Sequence, residues 1–263
     1  LDNFCWCDSN NPYRLGQLKN AARACYDIAV AYGTPYISGK DSMFNDFKGY
    51  DENFNEISIS IPPTLLVSSI GLINDINKAV TLDFKFPGDL IYLIGLTEDE
   101  TGGSEYNALA GELKTGKKYT GTNVPQVNTG LFKKTYKAVE NAIRQELLAS
   151  CISIERGGLA VAVAKSAIAG MLGCSAGLSG IKNTEIRRND ILLYSETQGR
   201  LLVSVNPVNK QKFEKCFTDI PFYCIGKVND DNSFVIEGIS GNIIINTDIR
   251  EIETEYKKRL KNY

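Results

Sequence analysis

The 263-residue chain contains no histidine. That absence excludes any Ser-His or Cys-His pair, any histidine zinc ligand and any histidine acid–base step carried within the chain. Chemistry here must use carboxylates, lysine, hydroxyls, backbone amides, or residues of another chain. An excess of one charge is also missing. The 31 acids and 29 bases leave a net charge of −2, which rules out a broad electrostatic grip on nucleic acid. No stretch approaches the roughly 18 apolar residues of a membrane span. No charged segment followed by an apolar core marks a signal peptide at Leu1-Asp2-Asn3-Phe4-Cys5-Trp6. The seven cysteines include no CxxC pair; Cys5 and Cys7 form a CxC without the second pair that a four-ligand zinc site needs. The expectation is therefore reduced core thiols in a cytoplasmic protein. The start at Leu1 reads as that of a piece of a longer polypeptide.

What is present is globular. Hydrophobic residues at 43% and charged residues at 23% argue against disorder and coiled coil. At roughly 150 residues per domain the length gives about 1.8 domains. Leu15, Leu18, Ala22, Cys25, Ile28, Ala29 and Tyr32 recur at three and four, which predicts a helix with a core-facing stripe, ended by Gly33 and Pro35. Pro35 to Ile37 reads as a short strand, residues 45–56 as a loop or hairpin tip, and Ile57 to Ile61 as a half-buried strand. Thr64 to Ile73 suits a strand buried on both faces. A turn at Phe86-Pro87-Gly88-Asp89 places the domain boundary between residues 85 and 86. Beyond it, strands are predicted at Leu90 to Gly95, Ile191 to Tyr194, Leu201 to Val205, Phe222 to Val228, Phe234 to Glu237 and Ile243 to Asn246. Helices are predicted at about 105–113, 129–149, 159–169 and 210–217, with a solvated helix or strand end after Asp248. The mixture is α/β or α+β.

Three glycine-bearing loops carry the candidate chemistry. Ser38-Gly39-Lys40-Asp41-Ser42 lacks the glycine spacing of a P-loop. It still groups a lysine, hydroxyls, a carboxylate and a glycine that permits close backbone approach, which is equipment for a phosphate or magnesium–phosphate group. A polar turn leading into a strand is the alternative. Gly102-Gly103-Ser104 and Gly157-Gly158 each precede a helix, where free amides and the helix dipole can hold an anion or where glycine simply caps and packs. Asp2 could ligate a metal, accept from a ribose hydroxyl, or be solvated. Glu196 and Arg200 flank Gly199 and read as an exposed salt bridge.

Five motifs then occur in order: Leu1-Asp2-Asn3-Phe4-Cys5-Trp6, residues 33–42, Ile61-Pro62-Pro63-Thr64-Leu65-Leu66, Gly102-Gly103-Ser104-Glu105-Tyr106, and residues 157–162. Together they resemble the C-terminal repeat of the phosphoribosylformylglycinamidine synthase synthetase family, within the AIR-synthase-like superfamily, over nearly the whole chain. The resemblance implies an N-terminally truncated A domain, half of a barrel sheet with helices, at 1–85. An α/β B domain follows at 86–263. It implies an ATP- and Mg2+-dependent ligase that converts formylglycinamide ribonucleotide and glutamine-derived ammonia to formylglycinamidine ribonucleotide. The implied partners are an N-terminal repeat and a glutaminase domain or subunit, with no nucleic acid and no membrane. Carried over by residue, Asp2 and Gly39 match nucleotide contacts and Ser42 a substrate contact. Lys40 stands where a magnesium-ligating asparagine is frequent; its ammonium cannot ligate and would instead neutralise phosphate. No metal ligand is assigned.

The loop Cys151-Ile152-Ser153-Ile154-Glu155-Arg156 departs from the family pattern Cys-His-Asp-x-Ser-Asp/Glu. Glu155 restores one carboxylate out of register, and Arg156 adds a positive charge. These departures keep a second reading open, a structural half with a degenerate nucleotide site. Another AIR-synthase-like ATP-dependent enzyme is a third. The isolated chain is expected to be inactive.

Overall fold

The computed structural model describes residues 1–182 and 185–258. The chain forms two compact units, Leu1–Asn74 and Asp75–Tyr263. The division falls ahead of the 85/86 boundary read from the turn, because residues 75–85 are bound into the second unit. Phe84 is buried there and its amide donates to Ser166 O at 3.0 Å. The Cys151 amide donates to Thr81 O at 3.0 Å.

The first unit begins with strand β1 (Asp2–Cys5) and helix α1 (Pro12–Tyr32). Asn11 caps α1 by accepting from the Tyr13 and Arg14 amides, Pro12 sits in the first turn, and Gly33 closes the helix in the left-handed region at φ 70°. Strands β2 (Gly39–Ser42) and β5 (Thr64–Val67) flank β1 in the order β2-β1-β5; β3 (Phe47–Tyr50) and β4 (Glu56–Ile59) make a separate hairpin. The core is small: Phe4, Trp6 and Cys7 are buried, with Leu18, Ala21, Cys25 and Leu65 packed against them.

Several expectations are corrected in this unit. No residue of α1 is fully buried, and Leu15 is 51% exposed; the stripe meets only the narrow Phe4–Trp6 cluster. Residues 35–37 form no strand; β2 starts instead at Gly39. Thr64 to Ile73 is a strand only to Val67 and is largely exposed, because the small core of this unit takes up only Leu65 from β5. A continuous apolar run alone does not reveal how many layers will cover it.

The second unit is built on a seven-stranded sheet. Its strands are β6 (Leu90–Ile94), β7 (Ser150–Ser153), β8 (Cys174–Gly177), β9 (Leu201–Val205), β10 (Phe222–Val228), β11 (Ser233–Glu237) and β12 (Ile243–Asp248), in the order β12-β11-β8-β10-β6-β9-β7. All pairings are antiparallel except β8 with β11. The helices are α2 (Glu105–Thr115), α3 (Thr129–Arg144), α4 (Gly158–Gly170), α5 (Asn189–Tyr194), α6 (Lys210–Lys215) and α7 (Ile249–Lys257). Strand alternation feeds two cores. Ile91, Leu93 and Leu202 face α4, α5 and α7, whereas Tyr92, Ile94 and Val203 face α3 and α6. Each such fully buried side chain contributes about 1.5–3 kcal/mol relative to exposure. This is the α/β architecture expected for the second part of the chain.

Ile191 to Tyr194, expected as a strand, is helix α5. Four apolar residues in a row do not distinguish strand from helix, and burial of Ile191, Leu192 and Leu193 beside α4 decides for the helix. The tail after Asp248 is helix α7, with Ile249 buried; residues 259–263 lie outside the described residues. All seven cysteines are free. Only Cys7 and Cys174 are fully buried, so "core thiols" holds for those two, and burial pushes the Cys174 thiol up to about 12.

Candidate functional site

The first group of candidates lies on adjacent strands of the first unit. β1 and β2 run parallel in the register Asp2↔Gly39, Asn3↔Lys40, Phe4↔Asp41, Cys5↔Ser42. The Ser38–Ser42 segment is therefore largely strand rather than loop. Strand alternation divides its functional groups between two faces. Asp2, Gly39 and Asp41 share the face of Phe4. The Asp2 carboxylate lies across Gly39, where a Cβ would stand 2.3 Å from Asp2 Oδ1, so any larger residue would make the Asp2 side chain turn aside. Lys40 and Ser42 share the other face with Asn3 and Cys5. The Lys40 ammonium donates to the Ser42 hydroxyl, and both side chains are accessible. A cation beside a hydroxyl suits a phosphate group.

The second group lies wholly in the second unit, where the two double-glycine loops converge on one carboxylate. Ser104 caps α2 by accepting from the Asn107 amide at 3.1 Å. Gly102 is wedged against the 123–124 backbone, its would-be Cβ 2.5 Å from the Asn123 carbonyl carbon. Gly157 and Gly158 open α4 at φ 85° and 67°. Between them stands Glu196, whose Oε1 accepts from the Glu105 amide at 3.0 Å and the Gly157 amide at 2.8 Å. The protein's own carboxylate thus takes amides at the starts of both helices, the position an external anion would use. Arg156, extending from the same loop, pairs with Glu105.

Glu196 and Arg200 do not form the expected exposed ion pair. Arg200 is 2% exposed. It donates to Thr197 O at 2.9 Å, Thr97 Oγ1 at 2.9 Å and Ser195 O at 2.6 Å. Burial pulls its guanidinium down to about 10, against the opposing charges of Glu100 and Glu196. The Ser195 and Thr197 hydroxyls fasten the 98–100 loop through Glu98 N at 3.1 Å and Glu100 N at 3.2 Å. Sequence reading missed this cluster because Glu, Arg and Gly in a polar stretch look like a surface turn. The available signal was Arg200 abutting the apolar run Leu201-Leu202-Val203.

Glu196→Ala is expected to lower stability by roughly 1–3 kcal/mol, because the part-buried Gly157 amide loses its acceptor, while the exposed Glu105 amide can turn to water. Glu196→Gln, which keeps an acceptor oxygen, should lose less. Urea unfolding measures both, and amide hydrogen exchange at Glu105 and Gly157 locates the effect. Unchanged exchange at both amides in the alanine variant would refute the role given to Glu196.

Among the described residues, no three His, Cys, Asp or Glu side chains converge as metal ligands. The described residues thus gather no carboxylate set of their own for magnesium.

The C-terminal domain of AIR synthase related protein matches residues 87–239. The chain belongs to this family. Its AIR synthase related domain spans the seven-stranded sheet up to β11. Over 253 residues the chain is 37% identical to phosphoribosylformylglycinamidine synthase subunit PurL of Alkaliphilus metalliredigens, covering 95% of the chain and 31% of that relative. PurL of Methanocaldococcus jannaschii is 30% identical over 97% of the chain and 33% of its own length. The chain therefore spans about a third of these curated relatives. Among solved structures, T. maritima PurL complexed with FGAR aligns at a TM-score of 0.62 and 15% identity, over 86% of the chain and 36% of the neighbour. Hydrogenase maturation protein HypE aligns at 0.60 and 14%, over 94% and 75%. These likenesses show the AIR-synthase-like fold, and the PurL relatives bear out the resemblance carried by the five motifs. No helix among the described residues is long and apolar enough to cross a membrane.

Proposed function

We propose that the chain is the C-terminal part of a phosphoribosylformylglycinamidine synthase, a cytoplasmic ATP- and magnesium-dependent carbon–nitrogen ligase of purine biosynthesis. The match of nearly the whole chain to PurL relatives carries this reading. In the reaction the amide oxygen of formylglycinamide ribonucleotide takes the terminal phosphoryl group of ATP. Ammonia derived from glutamine then displaces phosphate. An N-terminal repeat and a glutaminase domain or subunit complete the enzyme, and the 263 residues alone are inactive. A PurL of T. maritima complexed with ATP has this fold, in keeping with nucleotide contacts here. Lys40 neutralises phosphate, Ser42 donates to the substrate, and Asp2 over Gly39 fixes the nucleotide end of β1.

One observation favours a second reading, a structural half that binds little. Glu196 already occupies the amides that the glycine loops would offer a phosphate. Two assays on the complete enzyme separate the readings. If the first holds, Ser42→Ala raises KM for formylglycinamide ribonucleotide and Lys40→Ala raises KM for ATP. Each rise is about tenfold or more, the loss of a charge-assisted hydrogen bond. Unchanged kinetics in both variants would remove the first reading in favour of the second.

A further inference from the structure

The two edges of the seven-stranded sheet differ in how they are covered. β7 closes one side, and the segment before β6 lies along it, with the Cys151 amide donating to Thr81 O at 3.0 Å. β12 closes the other side, with β11 as its one neighbouring strand. Along an antiparallel strand paired on one side only, every second residue turns its N–H and C=O outwards. Among the described residues, no backbone group of residues 243–247 bonds outside the β11 ladder. The outward row of β12 is therefore open to another strand.

Exposed edges are normally blunted by lysine, proline, a bulge or short length. β12 runs Ile-Ile-Ile-Asn-Thr-Asp over six residues and holds no lysine, arginine or proline. Its register shift lies opposite Glu237, and Ile245 to Asp248 keep an unbroken register. Ile243 is 58% exposed, and Asn246 is exposed as well. A strand is what satisfies such an edge, because it presents amides and carbonyls at the matching spacing.

The charge pattern says which strand fits. Asp248 is the one charged residue of β12 and stands at its C-terminal end. Two copies of β12 laid parallel and in register would set their Asp248 residues about 5 Å apart. Laid antiparallel about an axis at Ile245 or Asn246, they send the two acids to opposite ends. The separation is then about 13 Å or more at the strand rise of about 3.4 Å per residue, beyond the screening length of about 8 Å. We propose that β12 is a docking edge for a second copy of this chain, the two strands pairing antiparallel across a two-fold axis into one continuous sheet. This surface lies outside both groups of candidate residues, so the proposal goes beyond the ligase reading and does not rest on it.

Sedimentation velocity of the 263-residue chain over a concentration series tests the proposal. A reversible dimer of micromolar affinity is expected, and amide hydrogen exchange at residues 243–247 should slow as it forms. Asn246→Lys brings like charges together near the axis and should weaken the dimer about tenfold or more. Its melting should match that of the parent, because Asn246 is exposed. Mixing the Asn246→Lys and Asn246→Glu variants should restore the dimer, a result that neither a folding defect nor a contact through the first unit would give. A parent that stays monomeric throughout, an Asn246→Lys variant that dimerises as the parent does, or a mixture no more associated than Asn246→Lys alone would overturn the assignment.

Discussion

Replacing Arg200 with methionine is expected to lower the unfolding free energy of the second unit by about 3–5 kcal/mol, the range for removing one member of a buried charged network. Two effects oppose each other. Methionine removes a charge whose burial is unfavourable, as its lowered guanidinium pKa records. It also leaves the carbonyls of Ser195 and Thr197 and the Thr97 hydroxyl without their donor, at about 1–3 kcal/mol each where they stay buried. Buried Glu100 also loses its nearby positive charge. Three orphaned acceptors outweigh the one relieved charge. Arg200→Lys, with a single ammonium in place of the fork, should fall between methionine and the parent. Urea denaturation followed by far-UV circular dichroism measures the series. A methionine variant within about 1 kcal/mol of the parent would contradict the assignment, since that is the scale of a single ordinary hydrogen bond.

Gly158→Ala should be nearly as damaging, and Gly103→Ala provides the contrast. Both glycines have positive φ, 67° and 75°, so alanine at either incurs the left-handed penalty of about 1–2 kcal/mol. Gly103 has open space where its Cβ would go. At Gly158 the Cβ would stand 2.5 Å from Leu193 O and 2.7 Å from Ser195 O. These are backbone atoms at the end of α5 and cannot rotate away, so α4 must separate from α5, adding about 1–3 kcal/mol. The expected totals are roughly 1–2 kcal/mol for Gly103→Ala and 2–5 kcal/mol for Gly158→Ala. Equal losses in the two variants would show that backbone strain alone fixes the cost.

The regular parts of this fold were legible in the sequence for identifiable reasons. Leu90 to Ile94, and Leu201 to Val205 apart from Ser204, are apolar because both sheet faces are covered, so their runs stand out as strands. Helix α3 is legible through the spacing of Thr135, Val139 and Ala142, three of its buried residues, although Phe132 rather than Leu131 completes the buried stripe; Asn128 caps its start. Strand β8, Cys-Ser-Ala-Gly, carries almost no strand propensity and exists because β10 and β11 pair with it. Helix α5 was misread because its length leaves no room for a helical period. At the candidate site, the residue types were legible but their grouping was not. Alternation along β2 sends Lys40 and Ser42 one way and Gly39 and Asp41 the other, and no motif states that. Glu196 escaped notice because its partners are main-chain amides on segments far away in sequence, at 105 and 157.

The interior place of β6 has a consequence for biosynthesis. It is the first strand of its sheet to leave the ribosome, yet its neighbours are β9, from Leu201, and β10, from Phe222. At roughly 5–20 residues per second, its bare Ile-Tyr-Leu-Ile edge waits on the order of five to twenty seconds for a partner. During that interval the nascent chain presents an aggregation-prone segment to the cell. Helix α3 is synthesised within it, and its apolar stripe faces the side of the strand that bears Tyr92 and Ile94. That early helix–strand contact would shelter the strand until the rest of the sheet arrives.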